Sequence, residues 1–182
     1  LGTCGRPARD VEVRVAAPPG EPGEVLLRAS FQMVGYHDEP ALNAETITDD
    51  GWLRTRDVGR IDADGYLTLV DRTSDMIVTG GYNVYPKEVE DTLLAHPAVR
   101  DAVVVGVPDA KWGEAVLAFV VLRSGASAEA EALRSHCRER LAGYKTPKEV
   151  RFLDAVPVSA VGKPLRLALR DPFWAGRDRR VG

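Results

Sequence analysis

Short alternating stretches separated by turn clusters dominate residues 1 to about 70. Hydrophobic and polar residues alternate strictly over 11–15, which is typical of a strand with one buried face. The cluster Pro18-Pro19-Gly20-Glu21-Pro22-Gly23 predicts a turn, and Asp62-Ala63-Asp64-Gly65 between two hydrophobic runs predicts a hairpin. The predicted strands are 11–15, 24–28, 52–55, 58–61 and 66–70. This part of the chain is therefore expected to be all-β.

After Arg72 the pattern indicates helices as well as strands. Pro86 suits the first turn of a helix that Pro97 ends. Ser127 is expected to cap a second helix, which Gly143 ends. The apolar stripes of these two helices are Val89, Leu93 and Leu94 in the first, and Leu133, Cys137 and Leu141 in the second.

The same part of the chain contains the longer hydrophobic runs. Strands are predicted at 76–79, 83–85, 102–107, 115–122 and 150–153. Two of them, 102–107 and 115–122, are almost wholly apolar, as in strands covered on both faces. The Arg-rich tail from Asp171 is expected to fray. The order of elements predicts an α/β (α+β) domain in which helices flank a short sheet.

Composition narrows the class of protein. The 182 residues are 45% hydrophobic and carry 24 basic and 27 acidic side chains, so no basic excess favours nucleic acid. No apolar run approaches the roughly 20 residues of a membrane span. Cys4 and Cys137 lack a CxxC spacing, which favours a reducing, cytoplasmic location, and the three histidines suggest no metal cluster. Because Leu1 is not an initiator methionine, the chain is expected to be a piece of a longer one.

Three polar segments lie outside this core pattern. Asp57, at a strand end, can accept hydrogen bonds from the hydroxyls of a ribose or can cap a turn. The pair Gly80-Gly81 permits close approach of a ligand, or forms only a linker and tight turn. Lys163 lies on a loop bracketed by prolines and either reaches into a site or is a solvated surface lysine. Taken singly, each segment leaves both interpretations open.

Their order and separation give a more specific signal. The segments are Thr55-Arg56-Asp57, Asp71-Arg72, Gly80-Gly81-Tyr82-Asn83-Val84-Tyr85-Pro86 and Gly162-Lys163, with Gly20-Glu21-Pro22-Gly23-Glu24-Val25 and Gly35-Tyr36 before them. The chain resembles the C-terminal third of the adenylate-forming superfamily of acyl-CoA synthetases, peptide-synthetase adenylation domains and luciferases. The resemblance runs from Gly5 to Arg170 and implies a small β-rich, barrel-like subdomain followed by a mobile α/β domain.

The resemblance implies a reaction in two steps, in which ATP converts a carboxylate to an acyl-adenylate and a thiol then displaces AMP. It assigns the catalytic role to Lys163, which would bridge the carboxylate and the α-phosphate. Asp57 and Arg72 would bind ATP or AMP, and Ser74 would be the hinge about which the small domain rotates. ATP, CoA and Mg²⁺ are the implied cofactors, with the magnesium ligands expected outside this chain.

The resemblance also assigns residues to the thiol acceptor. The segment 80–86 looks like the version of this loop found in acyl- and aryl-CoA ligases, so CoA is the expected thiol acceptor. The implied CoA-binding residues are Gly80, Gly81, Tyr82, Trp112, Tyr144 and Lys148, although packing or solvation also explains the last three. Arg56 stands where the family usually has glycine, and Thr146 stands where some relatives have arginine.

The expected organisation follows from these assignments. Residues 1–71 would end a large N-terminal domain, 72–75 would be the hinge and 76–182 the mobile C-terminal domain. The expected function is the C-terminal portion of an AMP-forming ligase for a fatty or aryl acid, inactive without the remaining domain. Two alternatives are an adenylation domain that loads a carrier-protein thiol and a non-catalytic binding module with the same fold. Arg56 would point into solvent, add a phosphate contact or crowd the nucleotide, and all three outcomes are open.

Overall fold

The chain divides into two compact units between Thr73 and Ser74. A computed structural model describes residues 2–176. The division falls within the segment 72–75, and rotation at that segment stays a prediction. Both units combine sheets with short helices, so the predicted mixed α/β class is confirmed.

The first unit is a four-stranded antiparallel sheet with strand order β1-β2-β3-β4. The strands are β1 (Val11–Val15), β2 (Gly23–Ala29), β3 (Leu53–Ile61) and β4 (Leu67–Arg72). The strands predicted at 52–55 and 58–61 are one continuous strand, β3, whose pairing with β4 shifts register between Val58 and Gly59. The register shift bends the strand in mid-course and breaks the alternation that the sequence pattern relies on.

The expectation of an all-β first unit was wrong at one place, helix α1 (Pro40–Thr46). Pro40 lies in its first turn, where the missing N–H costs nothing. Seven residues make only two turns, so the helix shows no hydrophobic periodicity from which it could have been predicted.

Up to residue 176, where the described part of the chain ends, the second unit has a five-stranded sheet with three helices. The strands are β5 (Ile77–Thr79), β6 (Tyr82–Val84), β7 (Val99–Asp109), β8 (Gly113–Leu122) and β9 (Glu149–Phe152). The path runs β6-β5-β8-β7, and β9 pairs with β8 in parallel. The helices are α2 (Pro86–Leu94), α3 (Ala130–Arg138) and α4 (Arg166–Trp174), with a 3₁₀ turn at Gly143–Lys145.

The hairpin of β7 and β8 is buried on both faces, as its apolar runs predicted. One face packs with α2 and α3 in a core that includes Val104, Val116 and Leu133. The other face contributes Val105 and Leu117 to a second core cluster. Consecutive residues 103–105 are therefore all buried, which removes the alternation of a one-sided strand.

Two expectations about helix ends were wrong. The N-cap of α3 is Glu129, without a side-chain cap, rather than Ser127, and the helix ends at Arg138. Gly143 opens the 3₁₀ turn instead of ending the helix. A Ser or Gly near a helical pattern is a helix end only if its own backbone leaves the helical conformation. Packing against neighbouring elements decides at which residue the helix ends.

The predicted fraying from Asp171 was also wrong for the described residues, because Asp171 lies inside α4. Leu169 and Phe173 pack against the second core cluster, and Trp174 Nε1 donates to the carbonyl of Gly106 at 2.9 Å. The spacing of Leu169 and Phe173 was the available helical signal, obscured by Pro172 and the arginines. The part of the tail beyond 176 lies outside the described residues. No helix between residues 2 and 176 is long and apolar enough to cross a membrane.

Candidate functional site

A cleft of about 350 Å³ opens on the second unit between the β5–β6 turn, the β7–β8 turn and the 3₁₀ segment. Its lining residues are Thr79, Gly80, Tyr82, Trp112, Ala115, Val116, Gly143, Tyr144, Thr146 and Lys148. Five of the six positions predicted to bind CoA are among them. Gly81 lies beside the cleft at the tip of the turn and is not part of the lining.

The paired glycines form a two-residue hairpin turn, with Thr79 paired to Tyr82. Gly80 and Gly81 have φ angles of +58° and +84°, the left-handed region that such turns require at both positions. A Cβ on Gly80 would lie 2.7 Å from Cε3 of Trp112, whereas a Cβ on Gly81 would meet nothing within 4 Å. Gly80 is therefore needed both for the turn and for the approach of the indole.

Asp109 organises the opposite wall of the cleft. Its Oδ1 accepts hydrogen bonds from the backbone N–H groups of Lys111 and Trp112, at 3.0 and 2.9 Å. Its Oδ2 accepts from Nζ of Lys148 at 2.6 Å. The Lys148 hydrogen bond, followed by that of the Trp112 N–H, holds the pKa of Asp109 below its ordinary value. One carboxylate thus fixes the backbone of Trp112 and the ammonium group of Lys148.

Aromatic faces dominate the mouth of the cleft. The rings of Tyr82 and Tyr144 stack with centroids 4.6 Å apart and planes 23° from parallel. Trp112, Tyr82 and Tyr144 remain 43%, 59% and 41% exposed, which is unusual for rings of this size. Lys111 Nζ lies 4.6 Å above the indole of Trp112. Exposed rings beside cations suit a flat, anionic ligand.

Thr146, which stands where some relatives have arginine, adds a polar group to the cleft. Its Oγ1 is buried and has no hydrogen-bond partner among the described residues. A buried hydroxyl without a partner costs free energy, so it marks a place where a ligand or water would hydrogen-bond.

Asp57 and Arg72 face each other across β3 and β4 in the first unit. They are register partners, and Arg72 Nε lies 3.4 Å from Asp57 Oδ1. Thr55 Oγ1 accepts from the Asp57 N–H at 3.1 Å and donates to the carbonyl of Val25 at 2.8 Å. The two residues predicted to contact ATP therefore lie together on one sheet surface.

Arg56 adopts the backbone conformation that a glycine would favour, with a φ of +61°. Its carbonyl accepts from both the N–H and the hydroxyl of Thr73, at 2.8 and 3.1 Å. The guanidinium lies 3.5 Å from Glu45 Oε2, and its side chain is 56% exposed. The residue before Asp57 therefore has the left-handed backbone conformation that glycine favours, although its side chain is that of arginine.

Lys163 lies on a tight, exposed loop of the second unit, and it is not part of the aromatic cleft. The Ser159 N–H donates to the Lys163 carbonyl at 2.8 Å, and Ser159 Oγ accepts from the Lys163 N–H at 3.2 Å. Within residues 2–176, no acidic side chain forms an ion pair with its ammonium group. Ser74, the predicted hinge, opens the second unit.

Residues 88–163 match the family model described as the AMP-binding enzyme C-terminal domain. This segment is an AMP-binding enzyme C-terminal domain. The chain is 47% identical over 169 residues to a (7a-methyl-1,5-dioxo-octahydro-1H-inden-4-yl)propanoyl:CoA ligase of Mycobacterium tuberculosis, covering 93% of this chain and 32% of the ligase. It is 46% identical over 164 residues to ScoC of Streptomyces coeruleorubidus, a fatty acid–acyl-carrier-protein ligase, covering 90% of this chain and 31% of ScoC.

Among solved structures, ATP-bound MatB from Rhodopseudomonas palustris superposes with a TM-score of 0.90 at 34% identity, covering 94% of this chain and 36% of MatB. The chain therefore spans about a third of the length of the relatives it matches. The matching family model describes a C-terminal domain and several relatives are named as CoA ligases, so the resemblance inferred from the motifs is confirmed.

Asp109, which supports the wall of the cleft without lining it, was not singled out from the sequence, whereas Thr146 was noted as standing where some relatives have arginine. For Asp109 a signal existed, since an Asp three residues before Trp112 is typical of a turn that accepts backbone N–H groups. For Thr146 the signal was its place at an arginine position of some relatives, and only the folded chain reveals that its hydroxyl lacks a partner among the described residues. Among residues 2–176, no three His, Cys, Asp or Glu side chains are grouped as a metal site.

Proposed function

We propose that this chain is the C-terminal part of an AMP-forming ligase that activates a carboxylic acid, of fatty or aryl type, with ATP and transfers the acyl group to CoA. The observation that carries this proposal is the cleft, where residues Gly80, Tyr82, Trp112, Tyr144 and Lys148 converge. These residues come from three segments that are far apart in the sequence, and only the fold brings them together.

The chemistry of the cleft suits the nucleotide part of CoA. A half-exposed indole offers a flat face on which an adenine can stack, and base–aromatic stacking contributes on the order of 1–3 kcal/mol. Lys111 and Lys148 supply positive charge for phosphate oxygens. The unpartnered hydroxyl of Thr146 can hydrogen-bond a polar group of the ligand.

The first half-reaction would use other residues. It brings a carboxylate against the α-phosphate of ATP, and the ammonium group of Lys163 would neutralise the charge that these two anions bring together. A well-placed donor of this type contributes on the order of 3 kcal/mol to the transition state. Asp57 would accept hydrogen bonds from the ribose hydroxyls, and Arg72, 3.4 Å from it, would donate to the ribose or a phosphate.

The separation of Lys163 from the cleft supports a division of labour within one domain. Since Lys163 is not among the cleft residues, one orientation of the domain would present the lysine and another would present the cleft. Rotation at 72–75, with Ser74 as its pivot, would exchange the two. The acyl group, the ATP phosphates and their Mg²⁺ would bind to parts of the full-length protein outside these 182 residues.

The test uses the full-length protein with a panel of fatty and aryl acids. Adenylate formation is measured by acid-dependent exchange of pyrophosphate into ATP, and thioester formation by CoA consumption from a supplied acyl-adenylate. Lys163→Ala should suppress the first reaction at least a hundredfold and spare the second. Trp112→Ala should raise KM for CoA about tenfold and spare the first.

The opposing results identify the alternatives. A full-length protein that loads a carrier-protein thiol but leaves CoA unreacted would be an acyl-carrier-protein ligase. That alternative draws support from the similarity to ScoC. A protein that neither binds ATP in a titration nor exchanges pyrophosphate with any acid would be a non-catalytic module.

A further inference from the structure

Arg166, three residues after Lys163, forms an ion-pair cluster that the proposed reaction does not use. It is the first residue of α4, and its side chain is only 19% exposed. Its Nη1 donates to Oε1 of Glu90 and to the carbonyl of Val104, and its Nε lies 3.3 Å from Oδ2 of Asp75. One guanidinium thus bonds to α2, to β7 and to Asp75, the last residue of the predicted hinge segment 72–75.

The partners of Arg166 are themselves fixed. Glu90 is 7% exposed, and its Oε1 also accepts the backbone N–H of Val104 at 2.8 Å. Asp75, whose side chain is 21% exposed, directly follows Ser74. One turn further along α4, Arg170 Nη1 lies 3.5 Å from the carbonyl of Ser74. Helix α4 therefore contacts two consecutive residues at the start of the second unit.

The loop that carries Lys163 has little packing of its own. Val158, Val161 and Leu165 are 54%, 78% and 43% exposed, so burial contributes little to holding the loop in place. Its hydrogen bonds run within the loop, including Gly162 N–H to the Ser159 carbonyl at 2.9 Å and Leu165 N–H to the Pro157 carbonyl at 2.8 Å. Such bonds fix the shape of a loop but not its direction. The direction has to come from the point where the loop joins the folded core.

We propose that Arg166 is a positioning residue that fixes the Lys163 loop to Asp75 and α2, so that the lysine and Asp75, the last residue of the hinge segment, move as one body. This inference rests on the proposed function of Lys163. A guanidinium suits the role because its planar fork can bond to Glu90, Val104 and Asp75 at once, whereas an ammonium group would satisfy fewer of them in a fixed geometry. Rotation would then be confined to the backbone before Asp75.

The test compares Arg166→Lys with a control, Arg138→Lys, both in the full-length protein. The guanidinium of Arg138 forms an exposed ion pair with Glu131, and both of these residues are on α3. Arg166→Lys keeps the charge and loses the fork. We expect it to lower the maximal rate of pyrophosphate exchange about tenfold, the scale of a lysine misplaced by a fraction of an ångström. KM for ATP and the rate of thioester formation from supplied acyl-adenylate should stay within twofold of wild type. Arg138→Lys should change none of these values.

The Lys163→Ala background shows whether Arg166 acts through the lysine. There, Arg166→Lys should cause no further loss of the residual exchange rate. Hydrogen exchange gives a readout apart from activity, since the amides of Gly162 and Lys163 should lose protection in Arg166→Lys while those of β7 and β8 keep it. Should Arg166→Lys fold poorly, Asp75→Asn removes one contact of the same cluster and should give the same pattern at smaller amplitude.

Three results would overturn the proposal. They are a wild-type exchange rate in Arg166→Lys, an equal loss in both half-reactions, and a further loss in the Lys163→Ala background. Failure of the proposed function looks different, since Lys163→Ala itself would then leave pyrophosphate exchange unchanged.

Discussion

The ammonium group of Lys148 lies 2.6 Å from Asp109, the carboxylate that also accepts the backbone N–H of Trp112. An anionic ligand in the cleft would have to compete with Asp109 for this lysine. The same ligand depends on Asp109, because the carboxylate fixes the backbone at Trp112, from which the indole extends. The two roles of Asp109 oppose each other and can be separated by substitution.

Asp109→Asn should tighten the binding of CoA, because the amide oxygen still accepts the N–H groups of Lys111 and Trp112 while Lys148 loses its negative partner. Ion pairs that reach the solvent are weak, so KM for CoA should fall only about twofold. Asp109→Ala removes the turn bonds as well and should raise KM. Steady-state kinetics with the full-length protein measures both, and an Asp109→Asn variant with a raised KM would contradict this account.

Local patterns sufficed for much of the fold but not for the cleft. Two-sided burial of β7 and β8 was predictable because their apolar runs are long, and Pro86 marked the start of α2. Helix α4 was not predicted because Pro172 and several arginines conceal the pair Leu169 and Phe173. The cleft depends on contacts between distant segments, such as the stack of Tyr82 on Tyr144, which no local pattern encodes.

Gly80→Ala should damage the cleft more than Gly81→Ala. Both substitutions force alanine into a left-handed conformation, at a cost of about 1–2 kcal/mol each. Only the Cβ at position 80 would collide with the indole of Trp112, at 2.7 Å. We therefore expect similar losses of unfolding free energy from strain, with KM for CoA raised severalfold in Gly80→Ala alone. Thermal unfolding and CoA kinetics measure the two effects, and equal KM values in both variants would refute the clash.

Arg56 offers a test of backbone strain in the first unit. With φ at +61°, a side chain at this position is strained, and glycine is not. Arg56→Gly should be more stable than Arg56→Ala by about 1 kcal/mol, because both lose the contact with Glu45 and only alanine keeps the strain. Denaturant unfolding of the two variants gives the difference directly. A more stable alanine variant would show that this turn is not under conformational strain.

Cys137 should be inert in the folded protein. Burial raises the pKa of its thiol to about 11, so at pH 8 only about one molecule in a thousand carries the thiolate. Cys4 is exposed. Iodoacetamide should therefore label Cys4 in the native protein and both residues in denaturant, as peptide mapping by mass spectrometry would measure. Rapid native labelling of Cys137 at pH 8 would contradict its burial.

The raised pKa of Cys137 also predicts how the free energy of unfolding depends on pH. Because the folded-state pKa of Cys137 lies above that of the unfolded chain, near 8.5, the unfolded state releases this proton first. Stability from this group is complete below about pH 8.5 and declines as pH rises toward 11, with a slope of up to about 1.4 kcal/mol per pH unit. Cys137→Ala lacks the titration but leaves a small cavity among Leu133, Val89 and their neighbours, so it should be less stable than wild type at pH 7. The gap in unfolding free energy between the two proteins should narrow from pH 8.5 upward, and a constant gap across that range would show that the thiol ionises equally in both states.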